Sequence, residues 1–154
     1  EEKFEPTVVE FLDPNFEALI REILEKPEGD ITDVDLWDIT HISGVDRNIV
    51  SISGIEHCTS LQILTLRVNS ITNIEPLSEL VLLDHIDLQN NLISDIKPLY
   101  ENTGIGIGND LVYLYNNPLN DKSILEYKPL IQSRGVKFYS NAQLSGQEKF
   151  IFKI

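Results

Sequence analysis

Residues 61–80 read LQILTLRVNSITNIEPLSEL, and residues 83–102 repeat the same pattern as LDHIDLQNNLISDIKPLYEN. When Leu61 is set over Leu83, the apolar positions, one asparagine and one proline coincide. The apolar pattern breaks only at its last position, where Asn102 stands in the place of Leu80. An internal period of this length predicts a solenoid built from stacked coils.

The same frame continues on both sides of these two copies. Residues 39–58 supply an earlier copy at the same spacing, in which Arg47 replaces the asparagine. After the second copy the spacing lengthens, because TGIGIG at residues 103–108 adds an excursion. Asn117 then restores the asparagine position. We therefore expect a short array with a degenerate first coil and an enlarged last one.

Each coil is expected to have one apolar side. The alternation of Leu64 and Leu66 places two side chains on the same face of a strand. Coils stacked about 4.8 Å apart would join their strands into a parallel sheet over a continuous core. Asn69, Asn91 and Asn117 would then line up, and their amides can pair with backbone groups that the bend leaves free. This asparagine ladder is predicted to be structural.

The pattern LxxLxLxxNxIxxIxxLxxL resembles the leucine-rich repeats of bacterial internalins and related cell-surface proteins. The segment VVEFLDPNFEALIREILEKPEGDIT is similar to their amino-terminal cap, and NTGIGIGNDLVYLYNNPLNDKSILEYKPLIQSRGVKF is similar to their terminal repeat. The resemblance covers residues 8–139. It implies an α/β fold: a right-handed leucine-rich-repeat solenoid with a short parallel β-sheet on its concave face, a helical N-terminal cap and a C-terminal helix-strand cap.

Three segments follow from this frame, all within one structural domain. Residues 1–38 form the N-terminal cap, and residues 39–139 contain the repeats, a terminal helix and a last strand supplied by Val136 and Phe138. Residues 140–154 form a tail whose FIFKI segment is β-prone and could be an edge strand or the start of a linker. The chain contains no methionine, which suggests a mature chain from which a signal peptide has been removed.

The caps carry their own signals. Asp13 and Pro14 are typical of a helix N-cap and first helical position. Trp37 is expected to lie in the core of the N-terminal cap. Apolar residues at helical spacing predict a second long helix over residues 121–134, with a kink at Pro129.

Composition excludes several classes of function. The 25 acidic and 12 basic residues give a net charge of −13, which repels nucleic acid. No apolar run approaches the roughly 20 residues that a membrane-spanning helix needs, so membrane insertion is not expected. Cys58 is the single cysteine, so an intrachain disulfide is impossible, and its position in the frame predicts a buried apolar role.

No catalytic, cofactor or metal site is predicted. Gly104, Gly106 and Gly108 suggest a phosphate loop, but such a loop follows a strand and opens a helix, whereas these glycines precede a strand. We interpret them as conformational, since glycine adopts backbone angles that a compact excursion requires. His41 and His85 share one column of the sheet but are separated by a whole coil, at about 9.6 Å, which is too far to share a metal ion.

The strand residues between the apolar positions should face outward and form the partner-binding surface. Aromatic residues and arginine concentrate binding energy in protein interfaces, which favours the tyrosines and Arg67. The candidate binding residues are Ile63, Arg67, His85, Asp87, Gln89, Leu111, Tyr113 and Tyr115.

The predicted function is that of a non-catalytic binding module, not an enzyme. The resemblance implies recognition of a protein, or less readily a glycan, on a host or at a cell surface, by a monomer located outside the cell or on the bacterial surface. The alternative is a structural spacer that presents a neighbouring domain within a larger surface protein.

Overall fold

Five three-residue strands form one parallel sheet in chain order in the computed structural model, which describes residues 3–141. The strands are β1 (His41–Ser43), β2 (Ile63–Thr65), β3 (His85–Asp87), β4 (Leu111–Tyr113) and β5 (Lys137–Tyr139). Their middle residues are in register and buried: Ile42, Leu64, Ile86, Val112 and Phe138. Each repeat of the sequence therefore returns the chain to the sheet once, as the repeat pattern predicts.

Helical segments lie between the strands and at both ends. The N-terminal cap contains α1 (Pro14–Leu24) and α2 (Asp33–Leu36). The coils return through 3-10 turns at Ile55–His57 and Glu75–Leu77 and through α3 (Lys97–Glu101). A π-helical turn at Ser123–Tyr127 leads into α4 (Lys128–Gln132). Residues 121–132 are thus helical without a break, and Pro129 lies directly after the π-helical turn.

The asparagine ladder is present and structural. Asn91, which is 4% exposed, donates to the carbonyls of Leu66 and Leu88 at 2.9 and 3.0 Å and accepts from Ile71 N–H at 3.1 Å. Asn69 and Asn117 repeat this arrangement one coil before and one coil after. Each amide therefore joins two successive coils through their backbones.

The break in the apolar pattern at Asn102 has a structural cause. Its side chain is fully buried and donates to the carbonyls of Leu77 and Leu80 at 2.8 and 3.0 Å. Its Oδ1 accepts the N–H of Gly104 at 2.9 Å. A Cβ on Gly104 would lie 1.8 Å from the Val81 carbonyl oxygen, so only glycine fits there. The excursion at residues 103–108 is thus held by a buried amide and a close backbone approach.

Two acidic side chains join the N-terminal cap to the first coil. Asp13 caps α1 with one carboxylate oxygen, and its other oxygen accepts the N–H groups of Val50 and Ser51. Arg47, which occupies the asparagine position, instead forms a bidentate pair with Glu22 of α1, with both N···O distances at 2.9 Å. The cap is therefore bonded to the first coil through the carboxylates of Asp13 and Glu22.

Two expectations about side chains can be checked against burial. Cys58 is fully buried, which agrees with the predicted apolar role in the core. Burial raises the pKa of its thiol to about 12, so the thiol stays protonated at neutral pH. The expectation for Trp37 was wrong: this side chain is 40% exposed and its ring lies 5.4 Å from that of Phe4. Leu36 takes the inward position at the end of α2. The FIFKI segment lies outside the described residues.

A candidate binding surface on the outward face of the sheet

The outward face of the sheet consists of three columns of residues that run across the strands. Register pairs define the first as His41, Ile63, His85, Leu111 and Lys137, and the second as Ser43, Thr65, Asp87, Tyr113 and Tyr139. The third follows the strands and contains Val45, Arg67, Gln89 and Tyr115. All eight residues predicted from the sequence lie on this face, as neighbours within and between the columns.

Three tyrosines gather at the C-terminal end of this face. The rings of Tyr113 and Tyr139 stack with centroids 4.9 Å apart and planes within 11°. Tyr115 lies 6.4 Å from Tyr139, and His85 lies 5.8 Å from Tyr113. Tyr115 and Tyr139 remain 38% and 36% exposed. We call Tyr113, Tyr115 and Tyr139 the tyrosine cluster; its rings are fixed against one another.

Tyr139 was missed from the sequence, although a signal for it was present. If Val136 and Phe138 point into the core, strand alternation turns Tyr139 outward. The register then places it beside Tyr113, one strand spacing away. The last strand was interpreted only as part of the cap, so its outward residues were left out of the candidate surface.

A polar network occupies the centre of the face. Asp87 is only 8% exposed, because two neighbours cover its carboxylate. Gln89 donates to it from its side-chain amide at 2.9 Å, and the Nε of Arg67 lies 3.4 Å from its second oxygen. Asp87 thus holds Arg67 and Gln89 in place, while the Arg67 side chain stays 48% exposed.

The remaining predicted residues flank this network. Ile63 and Leu111 are half-buried and lie on either side of His85 in the first column. The outward face therefore combines two half-buried apolar residues, a polar centre and an aromatic end. Arrangements of this kind, with rigid aromatic groups beside arginine, provide the main contacts in protein interfaces.

A rim of left-handed residues borders the third column. Asp46, Val68, Asn90 and Asn116 occupy equivalent positions with φ of 56°, 57°, 56° and 58°. Asn116 donates to Asn90 at 2.9 Å and accepts from Asn141 at 3.1 Å, which makes a second, exposed amide ladder. Val68 is the one member of this column whose side chain does not favour a left-handed backbone.

The described part of the chain offers little to support other chemistry. Within residues 3–141, no three His, Cys, Asp or Glu side chains are grouped so as to hold a metal ion. Every fully buried side-chain nitrogen and oxygen in this range has a hydrogen-bond partner. No helix among these residues is long and apolar enough to cross a membrane.

Regularly repeated coils, a parallel sheet and an asparagine ladder define a leucine-rich-repeat solenoid. Residues 59–101 match the family model described as Leucine Rich repeats (2 copies). Comparison with curated proteins gives no match.

Solved structures narrow the class further. An internalin (inlF) from Listeria monocytogenes is 30% identical, with a TM-score of 0.71 over 92% of this chain and 40% of that one. The functional domain of InlJ from the same species is 21% identical, with a TM-score of 0.67 over 91% of this chain and 29% of that one. This chain is therefore an internalin-like bacterial leucine-rich-repeat domain, and it spans less than half the length of these relatives.

Proposed function

We propose that this domain is a non-catalytic module that binds a protein partner through the outward face of its sheet. The tyrosine cluster is the observation that carries the proposal. Tyrosine supplies a large, rigid contact area with a polar tip and has few rotatable bonds to order. Because the rings of Tyr113 and Tyr139 already stack, little side-chain freedom remains to be lost on binding.

The ring geometry favours a protein over a glycan. A sugar ring stacks on the open face of an aromatic ring, but one face of Tyr113 is covered by Tyr139, and the His85 ring lies 5.8 Å from it. The stacked faces of Tyr113 and Tyr139 are therefore closed to a sugar ring. Beside it, Arg67 and Gln89 offer donors whose positions Asp87 fixes.

The internalin-like relationship supports the same proposal and a location at the bacterial surface or outside the cell. Leucine-rich-repeat domains act generally as protein-interaction modules. A specific interface buries about 800 Å² on each partner, whereas five strands at about 4.8 Å spacing span only about 19 Å. The contact must therefore include residues beyond the strands themselves.

A capture experiment tests the proposal. Immobilised domain is exposed to host and bacterial surface extracts, beside a Tyr113→Ala/Tyr115→Ala variant and a Leu130→Ala control. Leu130 is 41% exposed on α4, away from the outward face, so the control removes an exposed apolar side chain of a different surface. Circular dichroism establishes that all three proteins are folded.

We expect a partner that binds the parent and the Leu130→Ala control but not the double tyrosine variant. Equal capture by the double variant contradicts the proposal. Failure of the parent to capture any partner favours the alternative, in which the domain is a spacer that presents other parts of a longer protein.

A further inference from the structure

Val68 combines an unfavourable backbone conformation with an exposed apolar side chain. Its φ of 57° places a β-branched residue in the left-handed region, which such residues rarely adopt. The equivalent positions of the other coils hold Asp46, Asn90 and Asn116, and Asp and Asn tolerate this conformation. The Val68 side chain is 46% exposed, so burial within its own coil offsets little of the backbone strain.

A second exposed valine lies beside it. Val45, in the preceding coil, is 40% exposed at the end of the third column. The rim backbones of the two coils are paired, since Asp46 N–H donates to the Arg67 carbonyl at 3.0 Å. We call these two exposed valines of adjacent coils, Val45 and Val68, the valine patch; they lie in the first two coils, at the opposite end of the outward face from the tyrosine cluster.

The charge next to the valine patch indicates the nature of its partner. Residues 1–38 contain thirteen Asp and Glu but only three Lys and Arg, and this cap adjoins the coil that carries Val45. An acidic field of this kind attracts and orients cationic partners. The charge of Arg67 is offset by Asp87.

We propose that the valine patch is a second contact point of the binding surface, which receives an aliphatic side chain from a cationic polypeptide segment. This inference rests on the proposed function and deepens it. Val68 and Tyr115 lie two coils apart, about 9.6 Å, a distance that about three extended residues span. One extended segment can therefore reach both the valine patch and the tyrosine cluster. Retention of a strained residue is expected where its side chain serves a contact.

Two substitutions separate contact from strain. Val68→Asn removes the apolar side chain and relieves the backbone strain. Val68→Thr keeps the branched shape and the strain but replaces a methyl group with a hydroxyl group. The probe is a phage-displayed library of random dodecapeptides panned on the parent domain, followed by affinity measurements with synthetic copies of the selected peptides.

We expect selected peptides to carry an aliphatic residue flanked by Lys or Arg, and to bind both Val68 variants about fivefold or more weakly. Peptides that bind both variants as tightly as the parent but lose affinity for Tyr113→Ala/Tyr115→Ala overturn this inference and leave the proposed function standing. Peptides insensitive to all these substitutions overturn both. A library that yields no Val68-dependent peptide also overturns the inference.

Discussion

Removal of one buried amide tests how the coils are held together. In Asn91→Ala, the N–H of Ile71 loses its side-chain acceptor. The carbonyls of Leu66 and Leu88 each lose one of two amide donors, because Asn69 and Asn117 still donate to them. Asn91 is 4% exposed, so water does not reach these groups without rearrangement of the coil. The substitution therefore leaves one buried N–H without its acceptor and two buried carbonyls with one donor fewer.

The expected loss follows from the cost of each group. The unsatisfied N–H costs about 1–3 kcal/mol, and each of the two lost carbonyl bonds contributes about 0.5–1.5 kcal/mol, part of which relaxation offsets. We expect the free energy of unfolding to fall by about 2–4 kcal/mol, which is at the high end for a single substitution. For a domain of this size, each kcal/mol shifts the melting temperature by about 2–4 °C, so the melting temperature should fall by about 10 °C.

Urea denaturation followed by circular dichroism measures this loss. Asn73→Ala is the matched control, because the Asn73 side chain accepts one exposed bond from the N–H of Glu75 at 2.9 Å. The control should lose no more than about 1 kcal/mol. An Asn91→Ala loss below about 1 kcal/mol, or one equal to that of the control, would refute the reasoning.

Three further substitutions test other parts of the fold. Val68→Asn should raise the free energy of unfolding by about 1 kcal/mol and the melting temperature by about 3 °C in calorimetry, since it removes left-handed strain; an unchanged or lower melting temperature would show that the strain is small. Burial opposes ionisation of Asp13, but four backbone N–H groups outweigh it and lower its pKa below the ordinary 3.8. Its carboxylate therefore stabilises the fold above that pH and loses this effect as the pH falls through the lowered pKa, so the stability gap between the parent and Asp13→Asn should narrow in acid melts; a constant gap would contradict this. Gly104→Ala should lower the free energy of unfolding by about 3 kcal/mol or more, because its Cβ would meet the Val81 carbonyl; a melting temperature within a few degrees of the parent's would contradict it.

The fold could be predicted because its signals recur. A residue such as Leu64 has a counterpart at the same position of every coil, so one misjudged residue does not change the assignment. Trp37 has no such counterpart: α2 is four residues long, too short for helical periodicity to fix which side chain points inward. The direction of its side chain depends on contacts with Phe4, far away in the sequence.

The composition of the candidate surface was predictable, but its interactions were less so. Strand alternation placed all eight candidates outward, and the same rule applied to β5 would have added Tyr139. Asp87 is buried because the side chains of Arg67 and Gln89 contact its carboxylate. The repeat pattern predicts which residues face outward but not which of their side chains contact one another. The strain at Val68 was partly visible, since the repeat frame aligns it with Asn90.

The asparagine ladder has a direction. Asn69 serves the backbone of the first coil, Asn91 that of the second and Asn117 that of the third, so each coil depends on its successor. If a coil unfolds at the C-terminal end, the coil before it loses the asparagine side chain that bonds its backbone. If a coil unfolds at the N-terminal end, the coils after it keep these bonds. Asp13 supports the first coil from the other direction. Unravelling should therefore spread more readily from the C-terminal end, and a repeat duplicated during evolution must bring the asparagine that its predecessor needs.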